Sequence, residues 1–472
     1  MGDRLSLAAA LIATALLAGC AVGPDYREPQ LVLPQQFANA DAARYTTEDT
    51  GLATFWTVFH DATLSRLVSE SLFANHDLRI ALSRLNEARA LRGAARLDLG
   101  PAITASAGYA DQRVATAQAV DGVRDLEGYE AGFDAIWELD FFGRKRRALE
   151  AGNADLQAAE AGLRDAQVSV AAELSRSYFE LRGHQQRLLV AQRNVDNQTE
   201  TLQLTQARLE GGTGTELDTS RAAAQLAATR ASVGPLQAAA ARAIHRIGVL
   251  TGRDPGALRT ELALPADLPA VPAFTAVADP ARLLRRRPDI RVSERQLAAA
   301  TARIGVAVAD LFPRVTFSGG VGFAAGSFDA LGSAGTSTYL LAPGISWAAF
   351  DLGQVRARIT ASHARGEGAL AAYEQTVLRA LQETEDALVT HAHSRERLLR
   401  LAEAAEASAT AAQLARLRYE NGAADFLQVL DAERSLLEAE DTLAQGRAET
   451  ATSLVSLYKA LGGGWPAPAA GG

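Results

Sequence analysis

Apolar residues recur along this chain with two distinct periods. From Arg144 to Glu210, leucine or valine returns every seventh position at Leu149, Leu156, Leu163 and Val170. After a slip of four the series resumes at Leu174, Leu181, Leu188, Val195, Leu202 and Leu209. Heptads broken by a four-residue stutter predict a long coiled-coil helix that locally unwinds. The same slip separates Leu370 and Val377 from Leu381 and Leu388. No proline interrupts 144–210, and a helix of that length runs about 100 Å at 1.5 Å per residue. The second period is two. Ile103, Ala105, Ala107 and Tyr109 alternate with Thr104, Ser106, Gly108 and Ala110, and Tyr129, Phe133, Ala135 and Trp137 oppose Glu130, Gly132 and Asp134. Val315, Phe317, Val321 and Phe323 oppose Thr316, Ser318, Gly320 and Gly322, while Tyr339, Leu341, Ile345 and Trp347 oppose Gly344 and Ser346. Segments of about ten residues, apolar on one face and polar or small on the other, with aromatics near their ends, fit membrane-spanning β-strands. Taken alone, the alternation fits a half-buried hairpin of a soluble sheet equally well.

These segments occur twice. Residues 75–101 lie over 287–313 without a gap, with 10 of 27 positions identical, among them Asp77/Asp289, Gly93/Gly305 and Pro101/Pro313. Trp137 and Gly143 match Trp347 and Gly353, and the turn RLEGGTG (208–214) matches RYENGAA (418–424). A period of about 210 residues exceeds any solenoid unit and reads as duplication of a half-domain. The first copy spans 61–251: a helix, strands at 102–112 and 129–139, a long helix at 144–210 and a return helix at 215–251. The second spans 281–461, with strands at 314–325 and 338–350, a long helix at 354–420 and a return helix at 425–461. Gly234-Pro235 is expected to kink the first return helix. A proline-rich linker (252–280) joins the copies, and 462–472 is a tail.

Composition narrows the classes. A net charge of -8 gives no reason to expect a nucleic-acid partner. One cysteine excludes an intrachain disulfide or a cysteine-cluster zinc site. That residue, Cys20, follows an apolar run from Leu5 to Leu17 and the small pair Ala18-Gly19. The run is too short to span a bilayer and fits a signal peptide at 1–19. The pattern resembles a lipobox, which makes Cys20 the lipidation site and 20–60 a lipid-anchored segment. No apolar run of transmembrane-helix length follows.

Side chains that could carry chemistry do not converge. His391 and His393 point to different helix faces and read as surface residues rather than an i,i+4 metal pair. GGVGFAAG (319–326) lies within an alternating strand and lacks the GK[ST] of a phosphate loop. The run Arg144-Lys145-Arg146-Arg147 reads as a contact with lipid headgroups or with another subunit. No serine sits on a Gly-x-Ser-x-Gly elbow. The residues therefore predict a protein that is not an enzyme, has no metal and carries no cofactor beyond the covalent lipid on Cys20.

Four strands cannot close a barrel, and in lipid an open edge leaves backbone groups unsatisfied at several kcal/mol each. Membrane strands would therefore require protomers to share a barrel, with eight strands from two or twelve from three.

Several motifs in order, GYEAGFDAIWELDFFGRKRR (128–147), LLRRRPDI (283–290), ARIGVAVADLFP (302–313) and YENGAADFLQVLDAERSLLEAE (419–440), resemble the outer-membrane factor family. These are the TolC-like and OprM-like exit ducts of Gram-negative efflux systems, and the lipoprotein, nodulation-type branch is nearest. The resemblance implies a protomer dominated by α-helix. It implies a homotrimeric tube with a shared twelve-stranded outer-membrane β-barrel and a long periplasmic α-helical barrel. It implies a passive duct coupled to a periplasmic adaptor and an inner-membrane pump of the resistance-nodulation-division type. Carried over by position, the adaptor-contacting tips are Gly211, Gly212 and Thr213, and Asn421, Gly422 and Ala423. The periplasmic constriction falls on Leu427, Gln428, Asp431 and Arg434. Gln428 replaces an aspartate of some members, and Arg221 occupies the first-half position that matches Asp431. A ring of carboxylates would favour cations in a narrow pore, whereas a solvated Asp431–Arg434 pair on one helix is the simpler reading. The competing function is a lipid-anchored periplasmic coiled-coil scaffold, which has no use for four alternating segments ending in tyrosine and tryptophan.

Overall fold

A computed structural model of the chain describes residues 21–39, 45–46, 52–118, 121, 123–272, 275–276 and 280–465. The signal segment and Cys20 lie outside the described residues. The longer helices are α1 (Ala62–Ala74), α2 (His76–Leu97), α3 (Arg144–Glu210), α4 (Glu216–Leu250), α5 (Pro288–Ala309), α6 (Leu352–Glu420) and α7 (Phe426–Ala460). Four strands form one sheet: β1 (Ala102–Arg113), β2 (Asp125–Leu139), β3 (Arg314–Ala325) and β4 (Ser337–Ser346). The same order of elements is met twice: α2 and α5 each have 22 residues, and α4 and α7 each have 35. The chain divides into two compact units, Met1–Gln30 with Arg84–Glu160 and Val292–Gln375, and Leu31–Ser83 with Ala161–Arg291 and Thr376–Gly472.

The first unit holds the sheet, an antiparallel meander in the order β1-β2-β3-β4. Residues directly opposite in neighbouring strands share a face. The register therefore lines up Ile103 with Ala135, Tyr109 with Tyr129, Phe133 with Val321, Val321 with Tyr339, and Trp137 with Phe317. Four separate stripes become one apolar surface, and its large side chains are exposed: Phe133 60%, Val321 62%, Tyr339 83%. Ile136 and Leu340 break the segregation, pairing with Ser318 and Gly320 on the other face. β2 begins at Asp125, earlier than the alternation indicated, and β4 ends at Ser346, so Trp347 lies beyond it. Trp137 and Trp347 make equivalent bonds, donating Nε1–H to the Leu99 and Leu311 carbonyls at 2.8 and 2.9 Å.

The basic run at the start of α3, expected to contact lipid headgroups or another subunit, is paired with acids of its own chain. Arg144 pairs with Glu138, Lys145 with Asp98 at 3.5 Å, and Arg146 with Asp140 at 3.3 Å. Arg147, buried, reaches Asp25 at 2.6 Å and Glu150 at 2.8 Å. It also donates to the Val22 carbonyl at 3.1 Å. Residues 21–26 are thereby tied down. The Val22 amide donates to Phe142 O at 3.2 Å, and the Tyr26 hydroxyl donates to Glu294 at 2.9 Å. The fit depends on backbone-to-backbone approach: a Cβ on Gly143, whose φ is +79°, would stand 2.5 Å from Ala21 Cα.

The second unit is built around one apolar core. Phe55, Trp56 and Phe59, just before α1, pack with Leu64 and Leu67 of α1. Around them lie Tyr178, Phe179 and Leu181 of α3, Ile247 of α4, Leu388 of α6 and Leu457 and Tyr458 of α7. Each fully buried side chain of this size contributes about 1.5–3 kcal/mol. Phe55 stacks on Tyr458 at 5.2 Å, and Asp61 caps α1 while accepting from the Tyr178 hydroxyl at 2.7 Å. The proline-rich stretch packs too, through Leu258 and Leu262, with Gln185 donating to Leu262 O at 2.7 Å. Pro235 leaves α4 continuous from Glu216 to Leu250.

Two features depart from the sequence pattern. In the latter half of α3 the buried seam is Asn194, Gln198, Thr201 and Thr205. Leu188, Val195 and Leu202 are half-buried beside it, and Leu209 is exposed. His391, expected at the surface, is fully buried, because α6 turns that position toward α7. Its Nδ1 lies 2.9 Å from Ser453 Oγ and its Nε2 has no partner among the described residues. Burial, and then the nearby Arg395 charge, push its pKa down from 6.5 to about 4.

Two outcomes follow from this packing. Gly143→Ala should destabilise the protein by about 1–3 kcal/mol and loosen residues 21–26, read as faster hydrogen exchange over that peptide. For His391, the unfolded chain takes up its proton before the folded one as pH falls. Stability present above pH 6.5 is therefore lost down to about pH 4 and changes no further below it. The loss amounts to at most about 3 kcal/mol, and denaturant titrations of His391→Gln should show that slope flattened.

Candidate functional site

Helix α3 ends and α4 begins through a tight reversal, and α6 and α7 are joined by another of the same kind. Gly212 and Gly422 sit at φ +72° and +73°, the left-handed conformation in which glycine avoids a Cβ penalty. Thr213 N–H returns to Arg208 O at 2.9 Å and Ala423 N–H to Arg418 O at 2.8 Å, satisfying carbonyls at both helix ends. Thr215 caps α4 and also donates its hydroxyl to Asp218 at 2.7 Å; Asp425 caps α7 by accepting the Gln428 amide at 3.0 Å. The two reversals are neighbours. Arg208 stacks over the Tyr419 ring at 4.1 Å and donates to the Tyr419 carbonyl at 2.9 Å. Gly211, Gly212, Thr213, Asn421, Gly422 and Ala423 are all exposed.

Helix α7 has two faces in its first turns. Phe426 and Val429 are buried with Tyr419 and Ala222 in a small core. Leu427, Gln428, Asp431 and Arg434 form the opposite, exposed stripe. Asp431 and Arg434 approach to 3.5 Å with both side chains about two-thirds exposed, a pair worth under about 1 kcal/mol. The four constriction candidates thus share one open face of one helix, two turns from a reversal. Arg221, the match to Asp431, is half-buried on α4.

One group was missed. Glu433 is buried on α7, ion-paired to Arg416 of α6 at 2.7 Å and accepting from Thr201 of α3 at 3.1 Å. The signal was available: Glu433 falls in phase with Phe426 and Val429, where a lone carboxylate must have a partner. Further along, Arg187 makes a two-pronged pair with Asp441 at 2.8 and 2.9 Å. No cluster of three metal-ligating side chains occurs among the described residues. No described helix is long and apolar enough to cross a membrane, which does not bear on the sheet.

The family model for "Outer membrane efflux protein" matches residues 67–253 and 280–463. The chain belongs to this family. The two matched blocks enclose α2 to α4 and α5 to α7 with the four-stranded sheet, both reversals and the α7 stripe. The chain is 32% identical to the probable efflux pump outer membrane protein TtgC of Pseudomonas putida, over 98% of this chain and 96% of that protein. It is 30% identical to nodulation protein T of Rhizobium leguminosarum bv. trifolii, over 95% and 96%. Among solved structures, the outer-membrane channel OprN superposes with a TM-score of 0.90 at 47% identity, covering 94% of this chain and all of that one. The helix-dominated protomer is therefore the fold of an outer-membrane efflux channel.

Because Glu433 is buried and Asp431 is not, their loss should be felt differently. Glu433→Ala is expected to cost about 1–3 kcal/mol by stranding Arg416 and Thr201, whereas Asp431→Ala should stay within about 0.5 kcal/mol. Thermal midpoints of the two detergent-solubilised variants make the comparison.

Proposed function

We propose that this chain is the passive outer-membrane exit duct of a tripartite efflux system. It acts as a lipid-anchored homotrimer and passes substrates from an inner-membrane pump and a periplasmic adaptor to the exterior. The observation that carries the reading is the sheet. Its register puts large apolar side chains on one exposed face, and its outer strands β1 and β4 have no further strand beside them among the described residues. An apolar face and open edges suit a barrel completed by other copies in lipid. Three copies make twelve strands, an even number within the range of such barrels. The family and the relatives named for efflux support transport as the role. The scaffold alternative gives the apolar face of the sheet nothing to contact.

In this reading the reversals at Gly211–Thr213 and Asn421–Ala423 contact the adaptor. Leu427, Gln428, Asp431 and Arg434 converge near the threefold axis as the constriction. Three Asp431 carboxylates facing one another would repel. Arg434, 3.5 Å from Asp431 within each chain, offsets that repulsion and lets the closed form persist until an adaptor engages. The lipid on Cys20 adds an anchor to a barrel that already spans the membrane.

Asp431→Ala should raise single-channel conductance in planar bilayers and make cells leakier to small solutes; conductance equal to that of the unaltered protein removes the constriction role. Cys20→Ala with a cleavable signal should still give membrane-bound trimers by mass measurement in detergent, and release into the periplasm as monomer would favour the scaffold.

A further inference from the structure

Within the first unit, one broad groove of about 840 Å³ runs across α2, α3, α5 and α6, a volume typical of small-molecule sites. Its floor is apolar and small, built from side chains such as Leu91, Ala151, Val306 and Ala361. Five arginines line it against three carboxylates. Two of those carboxylates are already engaged: Asp155 by Arg303, and Asp310 by Arg314 at 2.6 Å and Arg358 at 3.8 Å. Arg84, Arg92 and Arg365 have no carboxylate partner among the described residues, and they face a groove whose remaining acid is Glu87. Arg92 is held in place by donating to Asn153 at 2.9 Å.

The groove opens away from the N-terminal segment. On α5 that segment packs on Gly305, whose Cα lies 2.5 Å from where a Cβ on Gly23 would stand. Arg303 and Ala307, two residues to either side, line the groove. At about 100° per residue they point about 200° from Gly305. The face that residues 21–26 cover and the face that carries the arginines are therefore opposite sides of one helical layer.

We propose that this groove is a cargo subsite on the inner wall of the duct that favours organic anions with an apolar body and a carboxylate or sulfonate head. The inference rests on the duct reading above and adds the substrate class. Guanidinium forks bind such heads in two-pronged fashion, and a low-polarity floor accommodates the apolar part. Cations gain nothing from the three uncompensated arginines.

The test uses full-length protein in planar bilayers under a KCl gradient, with 2-naphthalenesulfonate as the blocking probe. In Arg84→Gln/Arg92→Gln/Arg365→Gln the chloride-to-potassium permeability ratio is expected to fall about three- to tenfold, and the concentration for half block to rise about tenfold. Lysine at the same three positions should retain most of the permeability ratio and lose most of the block. The single variant Arg365→Gln, at an exposed position, should show a partial shift of the same sign. Unchanged ratio and block in the glutamine variants would overturn the subsite while leaving the duct intact. Absence of any channel from both the unaltered protein and Asp431→Ala would overturn the duct itself, and the subsite with it.

Discussion

Hydrogen-bonded register in a four-stranded sheet is the constraint on which the rest depends. Once Phe133 stands opposite Val321 and Val321 opposite Tyr339, every second residue of each strand is committed to the same surface. A slip of one residue would move the whole apolar set to the side that carries Asp134, Gly320 and Thr104. Register is anchored at the sheet's ends by paired devices: the two indole N–H groups on Leu99 and Leu311, and the Phe142–Phe312 stack at 4.7 Å. The resulting face leaves Phe133, Val321 and Tyr339 exposed side by side, and the outer strands have no further neighbour among the described residues. In the proposed duct, assembly in lipid answers both demands at once.

The helical core meets a different demand. Long helices with alanine-rich faces can approach closely, and the side chains between them must then be small or exactly paired in polarity. Asn194, Gln198, Thr201 and Thr205 occupy the buried seam of α3, and part of that seam is closed by Glu433 and Arg416 from the neighbouring helices. Thr205 instead bonds within its own helix, to Leu202 O. The Gln198 amide finds no partner among the described residues, so the pairing of Glu433 with Arg416 and Thr201 is what ties these helices together, since a mismatch there would leave a charge buried alone. The mixed core of the second unit, with Phe55 and Trp56 inserted from the N-terminal segment, supplies the apolar burial that the alanine-rich rods lack.

The constriction candidates came from the family resemblance, not from patterning. What spacing alone dictates is that Leu427, Asp431 and Arg434 share a helical face, and Gly212 and Gly422 announce chain reversals through their conformational freedom. Glu433 was not singled out, although it lies beside Asp431 and Arg434. Its phase with Phe426 and Val429 marked it as buried, but its partners, Arg416 on the preceding helix and Thr201 far away in sequence, were not readable from that phase. His391 was misplaced for the same reason. A histidine in a polar stretch gives no sign of being enclosed until Ser453 of α7 is brought against it. The partners of the basic run at 144–147, Asp25, Asp98, Glu138 and Asp140, could not be paired with it from spacing alone.

By itself the sequence determined the periods: seven for the long helices, two for the strands, and about 210 for the recurrence of both. These follow from covalent geometry, because helical and extended backbones display side chains at fixed intervals and an apolar stripe must match one of them. It also determined the helix ends, since glycine and capping residues act within a few positions. Tertiary structure alone decided which charges are neutralised and which remain open. It enclosed Glu433 and paired the basic run, and it left Arg84, Arg92 and Arg365 facing a groove without carboxylate partners among the described residues. The physical reason is range. Backbone preference and periodicity are local, whereas desolvation and ion pairing depend on groups that only folding brings within a few ångströms.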